Sequence, residues 1–296
     1  MTVAGAAPVE KLITRTGPGR ALAGRFVAGD GIDDAVAVAR GLNEDGYRIS
    51  FDLLGEAVTD EGSARAATRA YEECLDRIAD EGLDANISIK PTQLGLAIDE
   101  SLASEAIVGL GRRAAASGNT VTIDMEDSRY TEATVRLFEH GQAESSNFGI
   151  ALQSCLRRTP ADLERLIPLG GHIRLCKGAY VEPHDVAYGA KREVDEAFAA
   201  GLRTLMAADT VKPAIATHDP DLLALARRLA DDREGPYEFQ MLYGVRTDLQ
   251  RDLVASGHEI RVYLPFGSHW YPYLTRRLAE RPSNAWFFAK ALFSGS

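Results

Sequence analysis

The stretch ANISIK, residues 85–90, decides the fold. Successive side chains of a strand point to opposite faces, so Ile87 and Ile89 share one face and Ser88 and Lys90 share the other. Seven more short apolar runs behave alike: YRISFDLL (47–54), TVTIDM (120–125), FGIALQ (148–153), HIRLCK (172–177), PAIATH (213–218), YEFQML (237–242) and EIRVYL (259–264). The stretches between them have helical spacing, as with Leu222, Leu225, Ala226 and Leu229, and Gly and Pro cluster at the junctions. Strand–helix alternation predicts a parallel sheet, and eight such units in about 250 residues match a (βα)8 barrel. Residues 1–45 read as an N-terminal helical cap and 46–296 as a single barrel domain, with no linker or repeat to divide the chain.

The two-residue period then sorts side chains. If the isoleucines of 85–90 face the helices, Ser88 and Lys90 face the barrel axis. The same rule turns Asp52, Asp124, Gln153, Arg174, His218, Gln240 and Tyr263 inward, most of them at the C-terminal ends of their runs. Barrel active sites are built at that end. Any one of these residues could be a satisfied interior polar group. Eight together, with Lys90, Asp124 and Arg174 charged, are a costly way to fill a core unless they pair or meet a ligand.

Composition narrows the classes. The chain has 296 residues, 45% hydrophobic and 26% charged, as in ordinary globular proteins. Lys plus Arg is 33 against 43 Asp plus Glu, a net charge of −10 that argues against a nucleic-acid binder. The three cysteines, Cys74, Cys155 and Cys176, form no CxxC pair, which points to a reducing compartment. With no evident signal peptide and no apolar run of membrane-spanning length, a cytoplasmic protein is expected.

After the last strand comes GSHWYPYLTRRLAERPSN, where Tyr273, Arg276, Arg277 and Glu280 share one helical face. Paired arginines suit bidentate capture of a carboxylate, although an ordinary solvated face has the same pattern. HExxH, GxSxG and the Gly-Lys of a P-loop are missing, and the six histidines show no metal-ligand spacing, so no metal is expected. A GxGxxA match, Gly109 to Ala114, follows a helical pattern rather than a strand. It reads as glycines serving a helix contact or a bend, not as a dinucleotide fingerprint.

The motifs SIKPTQLG (88–95), TIDMED (122–127), LQSCLRRT (152–159), RLCKGAY (174–180), ATHD (216–219), EFQMLYG (238–244) and YLTRRLAER (273–281), in this order, resemble the proline dehydrogenase family from about Arg25 to Phe293. The resemblance implies a distorted (βα)8 TIM-like barrel with an N-terminal helical segment. It implies FAD-dependent oxidation of L-proline to Δ1-pyrroline-5-carboxylate, with electrons passing to a quinone by peripheral contact with the inner face of the membrane. The chain resembles the monofunctional form, which leaves the product to a separate pyrroline-5-carboxylate dehydrogenase. Lys90, Asp124, Tyr263, Tyr273, Arg276 and Arg277 are expected around the substrate, with Lys90 paired to Asp124. Gln153, Arg174, Lys177, Gly178, Ala179, Thr217, His218 and Gln240 are expected around FAD, and Asp124 and Arg174 carry the catalytic expectation. Val181 departs from an aromatic residue found in bifunctional relatives, and Cys176 from an aliphatic one; Cys176 reads as a small buried hydrophobe. Two rival readings remain open: a Schiff-base aldolase using Lys90 or Lys177, and a non-catalytic barrel that binds proline or flavin.

Overall fold

A computed structural model describes residues 23–55 and 57–279, with side chains through Thr275. Eight parallel strands close into a barrel in chain order: β1 (Arg48–Leu53), β2 (Ala85–Ile89), β3 (Val121–Ile123), β4 (Phe148–Gln153), β5 (His172–Cys176), β6 (Lys212–Ala216), β7 (Glu238–Leu242) and β8 (Ile260–Phe266), with β8 paired back to β1. The outward side chains, such as Phe51, Ile87, Ile123, Ile173, Phe239 and Val262, are fully buried. They meet the apolar stripes of the helices in one continuous core, so the hydrophobic driving force acts between strands and helices, not on the axis.

Helices follow where the sequence caps them. The helix α2 (Glu61–Asp80) starts at Asp60, whose carboxylate accepts from the Ser63 N–H at 2.9 Å. The helix α3 (Glu100–Ala116) starts likewise at Asp99. Such caps satisfy amide groups that have no partner inside the helix. The ring continues with α4 (Thr131–Ser145), α5 (Thr159–Leu166), α6 (Lys191–Met206), α7 (Pro220–Ala230) and α8 (Thr247–Ala255).

The seam between β8 and β1 is covered differently. The helix α1 (Ile32–Glu44) precedes the barrel in sequence, packs on β1 and β8, and shares the main core through Ala35, Val36 and Ala39. The last described helix, α9 (Trp270–Ala279), builds a second apolar cluster instead, in which Trp270, Tyr273 and Leu274 pack with Ala23, Phe26, Val27 and Leu54 just beyond the C-terminal end of β1. This displaced last helix is the distortion of the barrel.

The strands end earlier than the apolar runs suggest. Lys90 and Asp124 lie one residue past β2 and β3, and His218 lies two past β6. The ladder loosens where the mouth opens, yet the Asp124 N–H still donates to the Ile89 carbonyl at 2.9 Å and holds that corner in register.

The GxGxxA glycines lie in the middle of α3. A Cβ at Gly111 would come within 2.2 Å of Cζ of Phe148, a fully buried ring, whereas one at Gly109 meets nothing within 4 Å. Gly111 is therefore a packing glycine and Gly109 is not. Gly109→Ala should stabilise the fold by up to about 1 kcal/mol through helix propensity. Gly111→Ala should destabilise it by about 1–3 kcal/mol despite the same propensity gain, because it overpacks a rigid neighbour. Urea denaturation of the two variants checks the opposite signs.

Candidate active site

Arg174 of β5 crosses the barrel interior. Its register neighbours on both sides are alanines, Ala151 on β4 and Ala214 on β6, so the long side chain has room to run over them. Its Nε donates to Oε1 of Gln240 at 2.5 Å, one terminal nitrogen donates to Ser88 Oγ at 2.9 Å, and the other pairs with Asp124. The guanidinium is about 5% exposed and satisfied on every edge, the condition under which a buried charge is tolerated. Asp124 accepts from Arg174 on one oxygen and from the Tyr263 hydroxyl on the other, at 2.7 Å. The Tyr263 ring lies under the guanidinium with its centroid 5.2 Å from Cζ. Burial, reinforced by Asp124 and Asp52, holds the Tyr263 phenol well above its ordinary pKa, so it stays a donor.

Lys90 does not pair with Asp124 as the sequence suggested. Its ammonium bonds Asp52, from the neighbouring strand β1. The reason is register: Asp52 stands opposite Ser88 on β2, one step below Lys90, while Asp124 is already committed to Arg174 and Tyr263. Burial works to lower the pKa of Lys90, but the Asp52 and Asp124 carboxylates outweigh it and hold it above the ordinary lysine value. Burial raises the pKa of Asp52, against the pull of Lys90. A lysine kept protonated attracts an anion but is a poor nucleophile, which removes the main attraction of Lys90 for Schiff-base chemistry. Lys177 is clasped by Asp195 at 2.5 Å and Asp219 at 2.8 Å, and Asp219 also caps α7.

The other side of the mouth is lined by small residues. Cys176 and Ala216, one step above Arg174 and Ala214, are half-buried and face the opening, and Gly178 and Ala179 lie exposed beyond them. Gly178 has φ +112°, and a Cβ there would come within 2.3 Å of Cys155 Sγ and 2.9 Å of Gln153 Oε1. Gln153 is fixed by donating to the Glu126 carbonyl at 2.8 Å. Thr217 is buried, its hydroxyl accepting from the Asp219 N–H. His218 Nε2 accepts from the Leu242 N–H at 3.0 Å, so in the neutral ring Nδ1 carries the proton. The loop after β5 is tied down by Glu182, which accepts from the Ser128 N–H at 2.8 Å and from its hydroxyl. Val181, beside it, is fully exposed.

The mouth is thus two-sided: a charged wall of Asp52, Lys90, Asp124 and Tyr263, and a low wall of Cys176, Ala216 and Gly178, with Arg174 between them. Cys176, Ala216 and Gly178 are small and stand beside the Arg174 cation, a lining that suits a flat aromatic group. By this test the residues present fit FAD, the cofactor the resemblance implies. Tyr273 packs in the α9 cluster at the same end of the barrel. The backbone of Arg276 and Arg277 belongs to α9, but their side chains lie outside the described residues. Sequence reasoning turned Asp52 inward yet gave it no role, and it overlooked Glu238, an inward carboxylate two residues before Gln240. Its signal was that shared parity.

Comparisons with known proteins bear on the family and the fold. A family model described as proline dehydrogenase matches residues 35–290. Proline dehydrogenase 1 of Bacillus subtilis (strain 168) is 36% identical over 271 residues, covering 90% of this chain and 89% of that protein. Proline dehydrogenase of Deinococcus radiodurans is 34% identical over 285 residues, covering 93% of this chain and 91% of that one. Among solved structures, proline utilization A from Bdellovibrio bacteriovorus, inactivated by N-propargylglycine, aligns with a TM-score of 0.84. At 24% identity over 92% of this chain and 33% of that one, it supports the barrel fold.

Burial raises all three thiols, Cys155 to about 11 and Cys74 and Cys176 to about 12. At pH 8 the thiolate fraction of each is roughly a hundredfold or more below that of free cysteine. Iodoacetamide should therefore alkylate the native protein at pH 8 at least tenfold more slowly than free cysteine, and urea should release three reactive thiols. Fast labelling of Cys176 in the native protein would refute its reading as an unreactive, small buried hydrophobe.

Proposed function

This chain belongs to the proline dehydrogenase family, and from that premise we propose that it oxidises L-proline to Δ1-pyrroline-5-carboxylate with FAD as its cofactor. The observation that carries the reading is the pair of charge clusters at the barrel mouth, Lys90 with Asp52 and Arg174 with Asp124 and Tyr263, facing a wall low enough for a flat ring. When bound, FAD supplies the acceptor for the hydride that leaves the ring carbon next to the proline nitrogen. The protein's part is orientation and charge. Lys90 attracts the substrate carboxylate, which Arg276 and Arg277 on α9 hold as a bidentate pair. Tyr263 and Tyr273 bound the space left for a five-membered ring. Fixing the amino acid by its carboxylate aligns the reacting carbon with the low wall, a proximity effect.

Gln153, Arg174, Lys177, Gly178, Ala179, Thr217, His218 and Gln240 hold the cofactor in this reading. Arg174 is held by Gln240, Asp124 and Ser88, so its charge stabilises the electron-rich product side without reorganisation. Gly178 lets the backbone approach closely where a side chain would strike Cys155. Asp124, with both oxygens already accepting, serves to hold Arg174 and Tyr263 in place.

The electrons pass to a quinone, and the product to a separate pyrroline-5-carboxylate dehydrogenase. In this reading the quinone contact is peripheral, made by a cytoplasmic protein at the membrane surface. No helix among the described residues is long and apolar enough to cross a membrane.

Anaerobic addition of L-proline to the FAD-loaded protein should bleach the oxidised flavin spectrum. A flavin that stays oxidised with proline would sink the assignment. A second prediction follows from Lys90. Asp52→Asn removes the largest influence holding that lysine protonated and leaves its desolvation, so its pKa should fall. KM for proline should then begin to rise at lower pH than in the wild type, with kcat at pH 7 changed less than KM. Superimposable KM–pH curves between pH 7 and 10 would contradict the role of the Asp52–Lys90 pair.

A further inference from the structure

The inward residues below Arg174 form a second network, at the closed end of the barrel. Glu238, the first residue of β7, is about 3% exposed. It accepts from Nε of Arg261 on β8 at 2.7 Å and from Lys212 Nζ on β6 at 2.8 Å. Arg261 also donates to the Ile49 carbonyl on β1 at 2.8 Å. Burial works to neutralise Glu238, but Arg261 and Lys212 hold its pKa far below the ordinary carboxylate value. Glu238 is thus a buried anion, and an ionised carboxylate only accepts hydrogen bonds.

That property reaches the site through one amide. Gln240 stands two residues along β7, roughly 7 Å nearer the mouth. Its Nε2 donates to Glu238 Oε1 at 2.6 Å, and its Oε1 accepts from Nε of Arg174. A glutamine amide turned by half a rotation would set its own N–H groups against the Arg174 N–H. Glu238 forbids this, because the turned amide would also set its oxygen against a carboxylate.

We propose that Glu238 is a positioning residue for Arg174, acting through the fixed amide of Gln240. The proposal rests on the reading of Arg174 given above only where it concerns the flavin. Its structural half concerns the order of the guanidinium and stands by itself. The bottom face of a barrel ordinarily serves stability alone. Here it also sets the orientation of the cation at the centre of the mouth.

The experiment compares Lys212→Met with the double variant Lys212→Met/Glu238→Met, since a glutamine at 238 would keep an oxygen able to accept from Gln240. The double variant removes one anion and one cation together, so the net charge is unchanged; Arg261 loses its carboxylate partner and keeps the Ile49 carbonyl, a cost that the urea midpoint reads. The single variant keeps the link from Glu238 to Gln240 as a control, and Glu259 keeps Arg48 as its partner at 2.8 Å. The first readout needs no flavin. It is the hydrogen-exchange rate of the Arg174 Nε proton in arginine-labelled protein, assigned with Arg174→Lys. Exchange should accelerate at least tenfold in the double variant and in Gln240→Met, and stay near the wild-type rate in Lys212→Met. The second readout is the midpoint potential of the bound flavin. A tenfold loss of preference for the reduced form appears as a negative shift of about 30 mV for a two-electron couple. Unchanged Arg174 exchange in the double variant, with only the urea midpoint lowered, would overturn the proposal and leave Glu238 a structural residue. Should Gln240→Met alone fold among the link-breaking variants, its Arg174 exchange decides the same question. A wild-type protein that takes up no FAD would defeat the reading of the function, while the exchange rates would still decide the role of Glu238.

Discussion

A guanidinium placed across the inside of the barrel binds residues from separate strands to one another. Arg174 draws on Ser88 from β2, Asp124 from the end of β3 and Gln240 from β7, and it lies against Tyr263 from β8. Removing any of these partners leaves a charge or a buried hydrogen-bonding group unpaired, which costs more than the bond contributes when made. Strands far apart in the ring are therefore held to one another through the axis as well as through their ladders. The alanines flanking Arg174 belong to the same device, because a larger residue at Ala151 or Ala214 would occupy the path of its side chain.

The architecture was legible because a barrel repeats one simple rule eight times. Period two in 85–90, 148–153 and 172–177 gave the correct face for Ser88, Gln153 and Arg174, and the outward residues of every strand are apolar. Parity gives a face but neither the position around the ring nor the height along the axis. Asp52 and Asp124 flank Lys90 from the two strands that pair with β2, and parity cannot choose between them; the resemblance implied Asp124, but Arg174 and Tyr263 already occupy it and Asp52 takes the lysine. Glu238 escaped for a related reason. It shares the inward parity of Gln240 but stands at the N-terminal end of β7, away from the end where barrel sites are built. The place of α1 on the β8–β1 seam could not be read from its amphipathic pattern, since a helix stripe does not name the surface it will cover.

The interior departs from the usual barrel in which branched apolar side chains fill stacked layers. Polar layers replace them from bottom to top: Glu238 with Arg261 and Lys212, then Arg174 with Gln240 and Ser88, then Asp52, Lys90, Asp124 and Tyr263. His172 belongs to the lowest layer, its ring bonded to Thr122 and given space by Gly149, where a Cβ would fall within 2.0 Å of it. The apolar driving force for folding has moved wholly outside the ring, to the helix-facing side chains. This separation leaves the axis free to be specified by charge and hydrogen bonding.

The α9 cluster joins the two ends of the described chain. Phe26 and Val27 pack with Trp270 and Leu274, and the Trp270 indole donates to Asp30 across 240 positions of sequence. Contacts of that span carry a large loop-closure cost and form only after most of the chain is in place. During synthesis β1 therefore waits with one edge open until β8 emerges, and β7 waits with another. Unpaired edges of this kind invite pairing with other chains. The polypeptide is most exposed to misassembly in the interval just before β8 and α9 are made, and chaperone dependence would concentrate there.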